Sequence, residues 1–124
     1  MKAQQVVLKH PADAGNALAQ LAGIKPQLVT VFGAVPFFPE KGLLAALKAA
    51  FPDSTLIGCS TAGEIGNGGV ADGSCVITAV NFSATGIRAA STALAGMADS
   101  QAAGQRIGSQ LAAPDLKALM VFGP

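Results

Sequence analysis

Short apolar runs rich in β-branched residues alternate with helical patterns along this chain, and this alternation constrains the fold more than any other feature. Residues 28–32 (LVTVF) and 55–59 (TLIGC) are almost continuously apolar, as expected for strands covered on both faces. Residues 11–23 and 39–50 carry apolar side chains at helical spacing. Strands that alternate with helices are typical of βαβ units, so we predict an α/β fold.

The remaining segments complete the predicted order β-α-β-α-β-β-β-α-β. A short first strand is expected at residues 6–8, and residues 75–82 and 86–94 suggest an antiparallel hairpin. A third helix begins at a cap formed by Asp99 or Ser100 and ends before Pro114. We therefore predict a three-layer sandwich around a mixed, mainly parallel sheet.

The final apolar segment resembles an earlier one. Residues 118–122 (ALMVF) are followed by Gly-Pro, and the LVTVF run is followed by Gly-Ala-Val-Pro. One interpretation is an internal repeat whose second copy has barely begun, and the other is that two buried strands share a composition. From the repeat we expect a last strand at 118–122. We also expect residues 1–124 to be a partial domain of a longer protein.

Composition and charge exclude several classes of protein. The 124 residues are 51% hydrophobic and 12% charged, which excludes a disordered chain. The net charge of +1 leaves no basic surplus for nucleic acid or an anionic membrane surface. No apolar stretch approaches the roughly 20 residues of a membrane span, and the N-terminus lacks a signal-peptide core. Two cysteines form no disulfide framework, so we expect a cytoplasmic protein with both thiols reduced.

The segment GCSTAGEI at residues 58–65 carries the most chemistry. It begins at the carboxyl end of a predicted strand, where ligands bind in open α/β sheets. It has the glycine spacing of a phosphate-binding P-loop, but Glu64 and Ile65 replace the Lys and Ser/Thr that such a loop requires. We predict a ligand-binding loop made of Gly58, Cys59, Ser60, Thr61, Ala62, Gly63 and Glu64.

Several of these residues have two interpretations. Cys59 would need a nearby base to act as a nucleophile, and His10 is the one histidine of the chain. Glu64 either accepts a ligand amine or hydroxyl in a cleft, or hydrogen-bonds backbone N–H groups of its own turn. For Gly63 we expect a position that tolerates no side chain, either because its φ is positive or because a ligand approaches closely, and for Gly69 a looser position that tolerates one. No catalytic and no metal-binding residues are predicted.

At GCSTAGEI the sequence resembles the FIST family. The resemblance extends along the chain through LVTVFGA, GGVADGS and CVITAVNF, and GCSTAGEI is its specific part. It implies the N-terminal sensory domain of a bacterial signal-transduction protein that binds small ligands, with amino acids as the proposed class. The implied partners are the C-terminal part of the same protein and an output module such as a chemotaxis receptor, a histidine kinase or a cyclic-dinucleotide enzyme.

Sensing without catalysis and without a cofactor is therefore the predicted function. The resemblance also links some family members to haem-containing nitric-oxide sensors, for which His10 is the available axial ligand. An enzyme that uses Cys59 or Glu64 is the competing class. Neither nucleic acid nor a membrane is an expected partner.

Overall fold

The computed structural model describes residues 1–38 and 42–123, and we number its elements in chain order. The described helices and strands are β1 (Lys2–Leu8), α1 (Ala14–Leu21), β2 (Leu28–Gly33), α2 (Leu43–Ala50), β3 (Thr55–Ser60), β4 (Glu64–Gly66), β5 (Gly69–Ala71), β6 (Cys75–Asn81) and α3 (Ser100–Leu111). The chain divides into two compact units, Met1–Ile87 and Arg88–Pro124, which are described separately.

A four-stranded mixed sheet organises the first unit. Its order is β1-β6-β2-β3, with β6 antiparallel to both neighbours and β2 parallel to β3. The predicted α/β class and the mixed sheet are confirmed. Although β1, β2 and β3 run in the same direction, one of the three pairings is parallel. The reason is that β6 lies between β1 and β2, where its direction opposes that of both strands.

One face of this sheet packs against both helices of the unit. The alternate residues Val29 and Val31 on β2 and Ile77 on β6 point to this face and are buried. Helix α1 contributes its stripe at helical spacing, and Phe51 closes the end of α2. The core cluster comprises Val6, Leu8, Ala14, Ala17, Leu18, Leu21, Val29, Val31, Phe37, Leu43, Leu47, Phe51, Cys75, Ile77 and Ala79.

The other face of the sheet packs against a small hairpin that the sequence did not predict. The glycine-rich stretch folds into β4 and β5, which pair antiparallel as a separate two-stranded sheet. A Cβ atom built on Gly66 would lie 2.7 Å from Cγ2 of Val7 and 3.6 Å from Cγ2 of Val76. Val7 and Val76 alternate with the core residues of β1 and β6, so the hairpin rests directly on the face opposite the helices.

Three expectations about strands are wrong, and the predicted start of one helix lies outside the described residues. Residues 86–94 and 118–122 form no strand, and β6 pairs with β1 and β2 instead of a following arm. Strand β3 is not covered on both faces, since it is an edge strand of the sheet with exposed residues at its end. The predicted start of the second helix, at Pro39 and Glu40, lies outside the described ranges. Within the described residues, α2 begins at Leu43.

Polar contacts hold the second unit together. Asp99 directly precedes α3, but its side chain makes no capping hydrogen bond to the helix. Its carboxylate instead accepts hydrogen bonds from two guanidinium nitrogens of Arg106, at 2.8 and 3.0 Å. Arg106 also donates to Thr92 Oγ1 and the Ala93 carbonyl, each at 2.8 Å, which fixes the segment before the helix. These contacts hold the pKa of Asp99 down at about 2, with the Arg106 hydrogen bonds as the main cause.

Among the described residues, no helix is both long enough and apolar enough to cross a lipid bilayer.

Candidate functional site

The predicted loop lies at the carboxyl edge of the sheet, where three strands of the first unit bring their ends together. The Thr61 amide donates to the Gly33 carbonyl at the end of β2, at 2.9 Å. The Ala34 amide donates to the Ser74 carbonyl at the start of β6, also at 2.9 Å. The ends of β2 and β3 and the start of β6 are thus tied to one another by backbone hydrogen bonds.

Glu64 is the centre of a buried hydrogen-bond cluster at this edge. Its side chain is 2% exposed, and its two carboxylate oxygens accept three hydrogen bonds. Thr61 Oγ1 donates to Oε1 at 2.7 Å, while the amide and hydroxyl of Ser74 donate to Oε2 at 3.0 and 2.8 Å. The donor within its own turn is thus the Thr61 hydroxyl and not a backbone N–H group, and the one backbone N–H donor among the three belongs to Ser74, ten positions later.

Hydrogen bonding keeps this buried carboxylate ionised. The pKa of Glu64 is lowered, mainly by the Thr61 hydroxyl, and the two Ser74 donors add to the effect against the opposing influence of burial. All three donors are neutral. Within residues 1–38 and 42–123, no lysine or arginine forms an ion pair with Glu64. Among the described residues, this buried negative charge therefore has no cationic partner.

The two cysteines differ in surroundings and chemistry. Cys75 is fully buried, and burial followed by the nearby Glu64 charge raises the pKa of its thiol to about 11. At neutral pH this thiol stays protonated, so Cys75 is not a ready nucleophile. Cys59 is exposed at the end of the edge strand. His10 is exposed too, and its backbone amide donates to Asp13 Oδ2 at 3.0 Å, as suits a helix entry.

The glycines of the loop do not behave as the sequence suggested. A Cβ atom on Gly58 would lie 1.8 Å from the Val31 carbonyl oxygen, so β2 and β3 approach too closely for a side chain there. Gly63 has no positive φ, and its nearest obstacle would be Asp72 Oδ1 at 3.1 Å. Gly69, expected to be permissive, has a φ of +105°. A positive φ at Gly63 is therefore wrong, and so is the expectation that Gly69 readily tolerates a side chain.

The structure brings only part of the predicted loop into one cluster. Thr61 and Glu64 join, whereas Cys59, Ser60 and Ala62 are exposed at the edge. Ser74 was missed, although it follows directly after the Gly/Asp-Gly segment that precedes β6. In the part of the chain that the structure describes, no group of three or more His, Cys, Asp or Glu side chains is placed to hold a metal ion.

A cavity of about 360 Å³ lies between the hairpin and the sheet face opposite the helices. Its walls come from β1, β6 and the hairpin, and two charged residues line it, Glu64 and Lys9. Lys9 follows directly after β1 and is exposed. Sequence patterns gave no reason to link Lys9 with Glu64, because 54 intervening residues separate them along the chain.

Comparison with known proteins identifies the family. The model of the FIST N domain matches residues 27–124, which is most of the chain. The chain belongs to the FIST family. FIST domains are sensory domains of signal-transduction proteins, and the predicted family is confirmed. No curated protein and no solved structure matches this FIST domain.

Proposed function

We propose that this FIST domain binds a small ligand, with amino acids as the ligand class, and passes the signal to an output module of a bacterial signalling protein. The observation that carries the proposal is the match to the FIST N domain over residues 27–124. The position of GCSTAGEI supports it, because the segment lies at the carboxyl edge of the sheet, where α/β domains bind ligands. We place the domain in the cytoplasm.

The geometry of Glu64 favours sensing over catalysis. A general base needs a carboxylate that can take up a proton near neutral pH, and the lowered pKa of Glu64 works against this. Its three hydrogen bonds hold it as an acceptor that positions the loop. Cys59, the exposed thiol, is the residue on which the competing enzymatic proposal depends.

Calorimetric titration of the 124-residue chain with the twenty standard amino acids tests the proposal. We expect one or a few amino acids to bind and to raise the thermal midpoint as their concentration increases. At a ligand concentration of 100 times Kd, the stabilisation should be about 2.7 kcal/mol. Absence of heat and of a midpoint shift with all twenty would refute amino acids as the ligand class.

A labelling experiment separates sensing from the enzymatic alternative. The rate at which iodoacetamide modifies Cys59 is measured between pH 5 and pH 9, with Cys59→Ser as the matched control. An ordinary exposed thiol reacts faster as the pH rises towards about 8.5. A rate already at its plateau near pH 6 would show an activated thiolate and would favour the enzyme.

A further inference from the structure

We propose that the cavity between the β4–β5 hairpin and the sheet is the ligand site, with Lys9 holding an anionic group of the ligand and Glu64 a cationic one. This inference rests on the proposed function and gives it a location and a polarity. It moves the binding contacts away from the exposed tip of the loop at residues 58–63. It also adds Lys9, which lies outside the GCSTAGEI segment.

The size and walls of the cavity suit a small aliphatic group. Its volume of about 360 Å³ is near the lower end of the range for ligand pockets. Val7 and Val76 line it from the sheet, and Val70 and Ala71 line it from the hairpin. These side chains offer apolar surface and no hydrogen bonds, so the orientation of a ligand depends on the polar side chains of the lining, Lys9, Glu64 and Ser74.

The two charged residues lie at different depths. Glu64 is buried and Lys9 is exposed, and both residues line the cavity. Glu64 accepts one hydrogen bond at Oε1 and two at Oε2. A carboxylate has about four lone-pair positions, which leaves one for a further donor.

The charges determine which ligand fits. The buried carboxylate has no ion-pair partner among the described residues, and a ligand ammonium would supply one. A ligand with only an anionic group would meet Glu64 as a like charge, and one with only a cationic group would leave Lys9 unused. A zwitterion with a short branched apolar side chain would pair with both Lys9 and Glu64 and would contact the apolar lining.

A second cavity is less suited to this role. It has a volume of about 460 Å³ and lies beside Phe51, Pro52, Ser54 and Leu56, with Lys48 as its one charged residue. It is next to the amino end of β3, away from the carboxyl edge where the family motif lies. It offers no carboxylate to match a ligand ammonium.

Three probes with the same branched carbon skeleton test the proposal. L-valine carries both charges, isovalerate lacks the ammonium, and isobutylamine lacks the carboxylate. Binding to the ¹⁵N-labelled chain is followed by the amide shifts of Gly66, Gly68 and Gly69, which report on the hairpin even for weak ligands. We expect L-valine to shift these amides and each single-charge probe to bind at least about tenfold more weakly.

The variant Lys9→Gln completes the test, with Lys2→Gln at the other end of β1 as the matched control. Lys9→Gln should weaken the binding of L-valine by about threefold to tenfold. The binding of isobutylamine should stay unchanged, because this probe has no carboxylate that could pair with Lys9. If Lys9 had a merely structural role, Lys9→Gln would weaken the binding of both probes equally. Lys2→Gln should change neither affinity.

Three results would overturn the proposal. Equal binding of L-valine by the wild type and Lys9→Gln would remove Lys9 from the site. Shifts confined to the amides of residues 58–63 would place the ligand at the loop, which refutes the cavity and leaves the proposed function intact. No shift with any of the twenty amino acids would refute both the cavity and the ligand class.

Discussion

Replacing Gly58 by alanine tests how the edge strand β3 is attached to the sheet. Gly58 lies opposite Val31 in the parallel pairing of β2 and β3. A Cβ atom on its backbone would lie 1.8 Å from the Val31 carbonyl oxygen, 2.7 Å from the carbonyl carbon and 3.0 Å from the amide nitrogen. All three atoms belong to the backbone, so no side chain can rotate away to make room.

The cost follows from the distance that β3 must move. A carbon atom approaches a carbonyl oxygen to about 3.3 Å without strain, so the strands must separate by about 1.5 Å at this point. Such a shift breaks the neighbouring ladder hydrogen bonds, each worth about 1 kcal/mol net, and loosens Leu56 against the core. We expect Gly58→Ala to lower the free energy of unfolding by about 2–4 kcal/mol.

Two other glycines of the same segment are matched controls. Gly69→Ala should cost about 1–2 kcal/mol, because the φ of +105° at Gly69 strains any L side chain. Gly63→Ala should cost less than about 0.5 kcal/mol, because its one close neighbour is an oxygen of the exposed Asp72 side chain. The chain contains neither Trp nor Tyr, so urea unfolding is followed by far-ultraviolet circular dichroism.

The order of the three costs decides the result. A Gly58→Ala variant within about 0.5 kcal/mol of the wild type would show that β3 does not pair with β2 in this register. A Gly63→Ala variant more damaging than Gly58→Ala would restore the sequence-based expectation of a strained turn at Gly63. Either result would refute the reasoning about the close approach.

Three further predictions follow from the buried cluster and the cysteines. Ser74→Ala should lower the free energy of unfolding by about 1.5–3 kcal/mol in urea, because a buried donor to a charged group is lost; a neutral effect would contradict the cluster. Because the pKa of Glu64 is lowered in the fold, its contribution to stability is complete above the ordinary value of 4.5 and is lost as the pH falls through the lowered value. Thermal midpoints between pH 2 and pH 7 should show this loss, and Glu64→Gln should flatten it; equal slopes in both proteins would contradict the lowered pKa. Iodoacetamide at pH 8 should modify Cys59 in the folded chain and Cys75 only after unfolding, as read by mass spectrometry; rapid double labelling would contradict the burial of Cys75.

Local patterns were sufficient to predict the elements that make up the core. The continuous apolar runs became β2 and β3, and β6 begins and ends close to its predicted bounds. Of the residues predicted for the first helical stripe, Ala14, Leu18 and Leu21 are buried, whereas Ala22 is exposed. These predictions succeeded because the periodicity of one element depends on which of its own faces is covered.

Strand pairing was not predictable from the same patterns. Residues 86–94 alternate like a hairpin arm, yet β6 pairs with β1, whose partner residues lie 67 to 79 positions away, and with β2. Alternation shows that one face of a strand is buried but does not identify the neighbouring strand. The central place of β6 is favoured because Cys75, Ile77 and Ala79 then join the core between the residues of β1 and β2.

The candidate site shows the same division between local and distant contacts. Thr61 and Glu64 are three residues apart, and a bond within one turn was among the interpretations of the sequence. Ser74 and Lys9 join the site only through the fold, because the register of β1 against β6 places Leu8 beside Cys75. The residues that follow β1 and precede β6 therefore meet at one edge. No pattern within GCSTAGEI carries that information.

The geometry around Glu64 also explains why this position is a glutamate. Three donors converge on its two oxygens, two from Ser74 and one from Thr61. With its carbonyl oxygen towards Ser74, a glutamine would turn its amide N–H₂ group towards Thr61 Oγ1, so the Thr61 hydroxyl would have to accept a hydrogen bond instead of donating one. An aspartate, shorter by one methylene, would not span the same separation between the donors without moving the backbone. A glutamate thus accepts the three observed hydrogen bonds without any rearrangement of its donors, and in the proposed site its charge would meet a cationic group of the ligand.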